Sequence, residues 1–181
     1  MSPWGPIPPD WRRLMHDTEK PVALSTEEKR FRSAVPASME AVRCVASHYQ
    51  KSGWEVEVVE AKMRPDFKRR SGYGDDEDLR ARLTIFDPWL RIEVKGRTFD
   101  FVDEATFPFP TIILDRANKA DEKRADVYFN VDRSCRYAAT ISRELTQTQW
   151  VKRKITDRGK GYEVWNYECP KGLATFIELL R

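Results

Sequence analysis

The chain has 181 residues, which suits one domain with a substantial core. Its net charge of only +3 is too small to hold nucleic acid by the bulk field, so any such binding must come from local clusters. Three widely spaced cysteines argue against a disulfide framework or a zinc site. The sequence has no long apolar run and no signal sequence, which predicts a soluble, cytoplasmic protein with no membrane span.

Prolines crowd the first 24 residues, which also contain Trp4 and Trp11. Proline at this density disfavours regular helix and sheet. We therefore interpret residues 1–24 as an arm that packs on the body of the protein or on a partner. Residues 25–181 are interpreted as a single domain.

Two helix signals follow the arm. Ser25 and Glu28 have the spacing of a capping box, which predicts a short helix beginning there. From about residue 36 to residue 52, apolar residues recur at helical spacing, and Gly53 is placed to end this helix in a left-handed cap. Glu40 lies early on the second predicted helix.

A strand and a basic loop come next. Residues 54–62 alternate between apolar and charged side chains, which predicts a strand. The following loop contains Lys68, Arg69 and Arg70 among aromatic residues and glycines. Basic side chains on such a loop could neutralise phosphates, although a simple solvated loop fits the same residues equally well.

The central pattern is a predicted hairpin. Residues 79–85 alternate as a strand, an Asp-Pro pair at 87–88 supplies a turn, and residues 90–95 alternate again. In the second strand, Ile92 and Val94 can face a core while Glu93 and its charged neighbours lie together on the opposite face. That charged face could equally be a solvated surface.

The rest of the chain predicts further short elements. In order they are an extended segment at 111–114, a short helix at 117–124, strands at 127–131 and 137–141, a late strand at 162–167, and a terminal amphipathic helix from Pro170 to Leu180. Residues 143–160 are polar and carry Lys152, Arg153 and Lys154 beside Trp150. We interpret these three basic residues as a second candidate surface for a nucleic-acid backbone.

An acidic residue before one strand, a turn, and Glu-x-Lys on the next strand together resemble the active-site hairpin of the PD-(D/E)xK nuclease superfamily. The resemblance covers about residues 36–142. It implies an α/β (α+β) fold with a restriction-endonuclease-like core, in which a central mixed β-sheet is flanked by helices and the Pro-rich arm stands outside. It also implies metal-dependent hydrolysis of phosphodiester bonds, with DNA as the expected substrate.

The resemblance assigns roles to particular positions. Asp78 and Glu93 would be the carboxylates that hold Mg²⁺ (or Mn²⁺), and the main-chain carbonyl of Val94 would be a further ligand. Lys95 would orient or deprotonate the attacking water, or stabilise the charge that develops on the phosphate. Glu40 corresponds to an additional acidic ligand that some families with this fold place on the first helix.

The identity of the first acid depends on the register of the hairpin. A tight turn at the Asp-Pro pair would set Arg82 opposite Glu93, and that cross-strand ion pair would be structural. A longer loop centred about two residues earlier would set Asp78 opposite Glu93. Asp76 is the second choice for this acid and Asp66 the third.

Two other functions compete with the nuclease. One is the same fold with a degenerate site, which would bind nucleic acid or a protein partner through the arm and the basic loop. The other is an assembly protein that works through the arm. The sequence leaves open endo or exo cleavage, DNA or RNA, and specificity, and it is compatible with a homodimer and with a phage or mobile-element origin.

Overall fold

The computed structural model describes residues 26–59, 78–157 and 162–180. Several predictions from the sequence lie outside these ranges, namely the arm, Asp66, the basic loop with Lys68, Arg69 and Arg70, and Asp76.

The helices and strands are short after a long first helix. The helices are α1 (Thr26–Lys51), α2 (Ala117–Lys123) and the single turn α3 (Arg143–Thr146), with 3₁₀ turns at Gln147–Gln149 and Lys171–Leu173. The strands are β1 (Glu55–Val58), β2 (Leu79–Arg82), β3 (Leu90–Gly96), β4 (Thr111–Arg116), β5 (Val127–Val131), β6 (Tyr137–Ser142), β7 (Val151–Asp157), β8 (Tyr162–Pro170) and β9 (Thr175–Glu178).

Helix α1 joins the two predicted helices into one of 26 residues, so Pro36 lies inside it and does not open a second helix. Its apolar stripe is buried, with Val42 and Val45 almost inaccessible to solvent. Gly53 follows with a φ of 85°, a left-handed conformation that glycine adopts without strain, as predicted. Within the described ranges, no helix is both long enough and apolar enough to cross a membrane.

The main sheet is mixed, with strand order β1-β2-β3-β5-β6-β9. Strands β3 and β5 are parallel, and the other neighbours are antiparallel. A second, antiparallel sheet has the order β4-β8-β7. The predicted mixed α/β class and the predicted central mixed sheet are therefore both present.

Each face of the main sheet covers a different part of the hydrophobic core. One face packs on α1, where Val45 meets Ile92, Val94 and Phe129 in a single cluster. A separate cluster joins Tyr128 and Ile141 of the main sheet to residues of β4 and β8 and to a group of phenylalanines. The sheet was expected to be flanked by helices, but the second sheet covers much of its other face.

The predicted terminal helix is wrong. After the turn at Lys171–Leu173, strand β9 pairs with β6. Phe176 lies 5.9 Å from Phe101, ring centre to ring centre, in one cluster, whereas Ile177 packs against the other cluster. Because both faces of β9 are covered, its apolar residues Phe176 and Ile177 are adjacent and do not alternate. Without alternation, an apolar strand cannot be distinguished from a buried helix by its sequence pattern.

Candidate active site on strand β3

The register of the β2–β3 hairpin places Asp78 beside Glu93. Leu79 pairs with Ile92, and Ala81 pairs with Leu90. Continuing this antiparallel register by one residue sets Asp78 opposite Glu93. The hairpin therefore has the longer of the two loops that the sequence allowed.

Arg82 is not the partner of Glu93. Its guanidinium Nε donates to Glu55 Oε2 at 2.7 Å across the β1–β2 pair. Its guanidinium carbon also lies 4.3 Å from the ring centre of Trp89. The structural ion pair that the tight turn predicted is absent from this hairpin.

Glu93 is a buried carboxylate held by two ammonium groups. Only 4% of its surface is exposed. Lys95 Nζ donates to Oε1 at 2.9 Å, and Lys123 Nζ donates to Oε2 at 2.8 Å. Burying a carboxylate requires such compensation, since an unpaired charge in the interior is very costly. The charged face of β3 is therefore not a solvated surface.

A second carboxylate, Asp115, joins the cluster from β4. Its Oδ1 lies 3.4 Å from Lys95 Nζ and also accepts a hydrogen bond from the Arg116 main-chain N–H at 2.7 Å. Its Oδ2 is buried and has no hydrogen-bond partner among the described residues. A buried oxygen without a donor is costly, so it is suited to accept a cation or a water molecule.

Asp78 lies at the same end of the hairpin, in surroundings that disfavour its charged form. Its Oδ2 accepts a hydrogen bond from the Val94 main-chain N–H at 2.6 Å. Burial, followed by the negative charge of Glu93, raises the pKa of Asp78 to about 6, although the Val94 hydrogen bond and the charges of Lys123 and Lys95 oppose the shift. Neighbouring carboxylates with a perturbed pKa are typical of functional sites.

Sequence reasoning missed Asp115 and Lys123. Asp115 follows a buried apolar run, Ile112 to Leu114, and an acid at the end of a buried strand is a signal that could have been used. Lys123 gave no signal, because it ends a short helix rich in charged residues. Only the packing of α2 against β4 and β8 brings it to Glu93.

The remaining predicted site residues lie elsewhere or serve differently. Glu40 is exposed on α1. Burial and the neighbouring Cys44 raise the pKa of Cys135, and the negative charge of Glu40 adds a smaller contribution. The Val94 main-chain N–H holds Asp78, and the predicted role of its carbonyl stays a prediction. The basic residues Lys152, Arg153 and Lys154 form part of β7, in the second sheet.

The cluster does not have the form of a ready metal site. Over the part of the chain that the structure describes, no group of three or more His, Cys, Asp or Glu side chains is arranged to hold a metal ion. Both carboxylate oxygens of Glu93 accept from lysines. The donor chemistry still fits a hard divalent ion, since Asp78, Glu93 and Asp115 offer oxygen ligands and Asp115 Oδ2 has no protein donor among the described residues.

Comparison of the chain with known protein families, with characterised proteins and with solved structures finds no match.

Proposed function

We propose that this protein is a metal-dependent nuclease of the PD-(D/E)xK type that hydrolyses phosphodiester bonds in DNA. The observation that carries the proposal is the convergence of Asp78, Glu93 and Lys95 at one end of the β2–β3 hairpin. The acid and the glutamate lie on neighbouring strands, and the lysine lies on the same face as the glutamate. These are the relative positions that the resemblance implies.

The arrangement of elements supports a restriction-endonuclease-like core. Helix α1 is followed in the chain by β1 and then by the β2–β3 hairpin. These three strands pair antiparallel with their neighbours, and β5 then pairs parallel with β3. Helix, strand and hairpin in this order agree with the expected nuclease core. The candidate residues lie on the central strand β3 and not on a loop, which favours a fixed geometry.

Asp78, Glu93 and the Val94 carbonyl would hold Mg²⁺ or Mn²⁺, with Asp115 as a further oxygen ligand. When bound, the ion would compensate the charge on the phosphate and lower the pKa of a coordinated water. An ammonium group lies within 2.9 Å of each Glu93 oxygen and would repel a cation bound there, so Glu93 joins this set when Lys95 or Lys123 moves away. The proposal therefore requires a local movement of a lysine side chain.

Lys95 is suited to stabilise negative charge on the reacting phosphate. Its ammonium group lies 2.9 Å from Glu93 Oε1 and 3.4 Å from Asp115 Oδ1. About a quarter of its side chain, 26%, is exposed, so a substrate can approach it. We assign Lys95 the role of an electrostatic stabiliser of the transition state.

The test is cleavage of plasmid DNA and of labelled oligonucleotides in Mg²⁺, in Mn²⁺ and in EDTA. We expect the parent to cut only with metal, and Lys95→Ala to lose about 100-fold or more of the rate. Lys119→Ala is the matched control, because it removes an exposed lysine from the neighbouring helix α2. Equal cleavage by Lys95→Ala and the parent, or no metal-dependent cleavage at all, would overturn the proposal.

One observation favours the second candidate, an inactive nuclease-fold binding module. Lys95 and Lys123 together hold both oxygens of Glu93, as expected if the site had degenerated. Thermal denaturation separates the two. A nuclease site should raise Tm as Mg²⁺ passes its dissociation constant, whereas a degenerate site held by two lysines should not respond.

A further inference from the structure

One face of the second sheet begins at the candidate active site and leads away from it. On the first rung, Asp115 of β4 pairs with Tyr167 of β8, which pairs with Lys152 of β7. On a neighbouring rung of the same face, Trp165 pairs with Lys154. Directly paired residues lie on one face, and residues two apart on a strand share it. We call this surface the Trp165 face.

The alternation of β7 divides the three basic residues that the sequence grouped together. Arg153 lies on the opposite face, where its Nε is 3.6 Å from Glu168 Oε2. Lys152 and Lys154 share the Trp165 face. The predicted nucleic-acid surface therefore reduces to two lysines, with an aromatic residue beside them.

Trp165 is the aromatic residue that this face leaves accessible. Its side chain is 51% exposed. Tyr167 is held in place, because its ring lies 5.8 Å from the ring of Trp150 and its hydroxyl is 3.4 Å from Asp121 Oδ2. The exposed indole therefore lies two residues along β8 from the fixed ring of Tyr167, on the same face.

The two lysines lie side by side on the Trp165 face of β7, Lys152 opposite Tyr167 and Lys154 opposite Trp165. Lys152 Nζ lies 5.8 Å from the ring centre of Tyr167. Lys154 forms an ion pair with Glu163, and both of its members are about half exposed. Exposed pairs of this kind contribute little to stability, so a phosphate can replace Glu163 as the partner of Lys154.

An exposed indole with two lysines along the neighbouring strand suits an unpaired nucleotide. An unstacked base can stack on an aromatic ring, and its phosphates can contact neighbouring lysines, whereas bases inside a duplex are already stacked. A protein partner fits less well, since two rungs of a two-stranded ribbon offer far less than the roughly 800 Å² that each partner of a stable complex buries.

We propose that Trp165, Lys152 and Lys154 form a binding site for single-stranded nucleic acid, in which a base stacks on the indole and the backbone contacts the lysines. The site rests on the proposed function for its purpose, which is to hold an unpaired strand on the sheet face that begins beside Lys95. The substrate class that this site implies is nucleic acid with unpaired segments.

The test is fluorescence anisotropy of a labelled oligothymidylate, measured in EDTA so that no cleavage occurs. We expect Trp165→Ala to weaken binding about 10-fold or more and Trp165→Phe to restore most of it, since one stacked base contributes about 1–3 kcal/mol. Changing Lys152 and Lys154 together to alanine should reduce the magnitude of the salt slope by about 1.4. Phe86→Ala, which removes a 91% exposed ring from the β2–β3 hairpin, is the control and should bind as the parent does.

The outcomes separate this inference from the nuclease proposal. Trp165-dependent binding by a protein that cuts nothing in Mg²⁺ would support the site and contradict the nuclease. Metal-dependent cleavage with unchanged oligothymidylate binding in Trp165→Ala would contradict the site alone. Equal losses for a matched duplex and the single strand, or an equal loss in Phe86→Ala, would also overturn it. Circular dichroism and Tm of Trp165→Ala verify that the variant is folded.

Discussion

The two ends of the β2–β3 hairpin carry ion pairs of opposite character. At one end Glu93 is 4% exposed and is held by Lys95 and Lys123. At the other end the Arg82–Glu55 pair is open to solvent, with half of the Glu55 side chain exposed. An exposed pair is nearly neutral in stability, whereas a buried one carries a large desolvation cost. The comparison indicates that the Glu93 end is where the protein retains charge at the expense of stability.

The carboxyl pKa values shift in opposite directions at the two ends. At the exposed end the hydrogen bond from Arg82 lowers the pKa of Glu55, so its charged form is favoured. At the buried end, desolvation and the charge of Glu93 raise the pKa of Asp78 to about 6. The surroundings of Asp78 therefore disfavour its ionised form, and a bound cation would relieve that cost.

The largest expected effect on stability comes from removing the Glu93 carboxylate, which both lysines contact at the buried end. Glu93→Ala leaves two ammonium groups without their partner, so we expect the free energy of unfolding to fall by about 3–5 kcal/mol. Urea denaturation followed by circular dichroism measures it. Glu93→Gln, which keeps an acceptor of the same shape, should lose less. A stability equal to that of the parent in Glu93→Ala would show that this end is hydrated and that the contrast with Arg82–Glu55 is false.

Asp78→Asn should stabilise the metal-free protein. The native pKa of about 6 exceeds the ordinary value of 3.8, so the stability supplied by the neutral carboxyl is complete below about pH 3.8 and is lost as the pH rises through 6. Asparagine stays neutral and can still accept from the Val94 N–H. Near pH 8 in EDTA we expect a gain of up to about 3 kcal/mol.

The control for Asp78→Asn is its own pH dependence. The gain over the parent should be small near pH 4 and should grow toward pH 7, because only the parent titrates at this position. Urea midpoints of the two proteins across this range measure the difference. A variant less stable than the parent at pH 8 would mean that the Asp78 carboxylate is favoured by its surroundings, like that of Glu55. The same variant should lose any rise in Tm caused by Mg²⁺.

Lys123→Met removes one of the two cations from the buried end. Because Lys95 still compensates Glu93, we expect a loss of about 1.5–3 kcal/mol, the contribution of a hydrogen bond to a charged group. The pKa of Asp78 should rise further, since the charge of Lys123 lowers it. If Lys123 competes with a metal ion for Glu93, the variant should also bind Mg²⁺ more tightly, whereas Lys119→Met on the same helix should not.

Alternation along the strands predicted which residues share a face. It placed Ile92 and Val94 toward a core and Glu93 with Lys95 opposite, and the structure agrees. It could not say that the charged face is buried, because the groups that cover it, Asp115 and Lys123, come from β4 and α2, which follow later in the chain. Contacts between distant segments leave no periodicity in either one.

The sequence also could not decide the register of the β2–β3 hairpin. The Asp-Pro pair predicts a turn, and Asp87 does help to form one, since the Thr84 main-chain N–H and hydroxyl both donate to its Oδ2. The Asp-Pro pair lies at the end of a longer loop, however, and does not itself make a tight turn between the two strands. The two registers place residues four apart opposite Glu93, and both preserve the faces of all side chains, so alternation alone cannot choose between Arg82 and Asp78.

The smallest effect is expected at the exposed end. Glu55→Gln removes the ion pair with Arg82 but leaves the guanidinium stacked on Trp89, 4.3 Å from its ring centre. About half of the Glu55 side chain is exposed, so water can solvate the side chain in both proteins. We therefore expect the urea midpoint and any cleavage rate to match those of the parent at moderate salt, where screening weakens exposed pairs further. Glu93→Gln measured in parallel is the matched comparison. If both variants lost equal stability, burial would not be what distinguishes the two ends, and the case for a retained functional charge at Glu93 would fail with it.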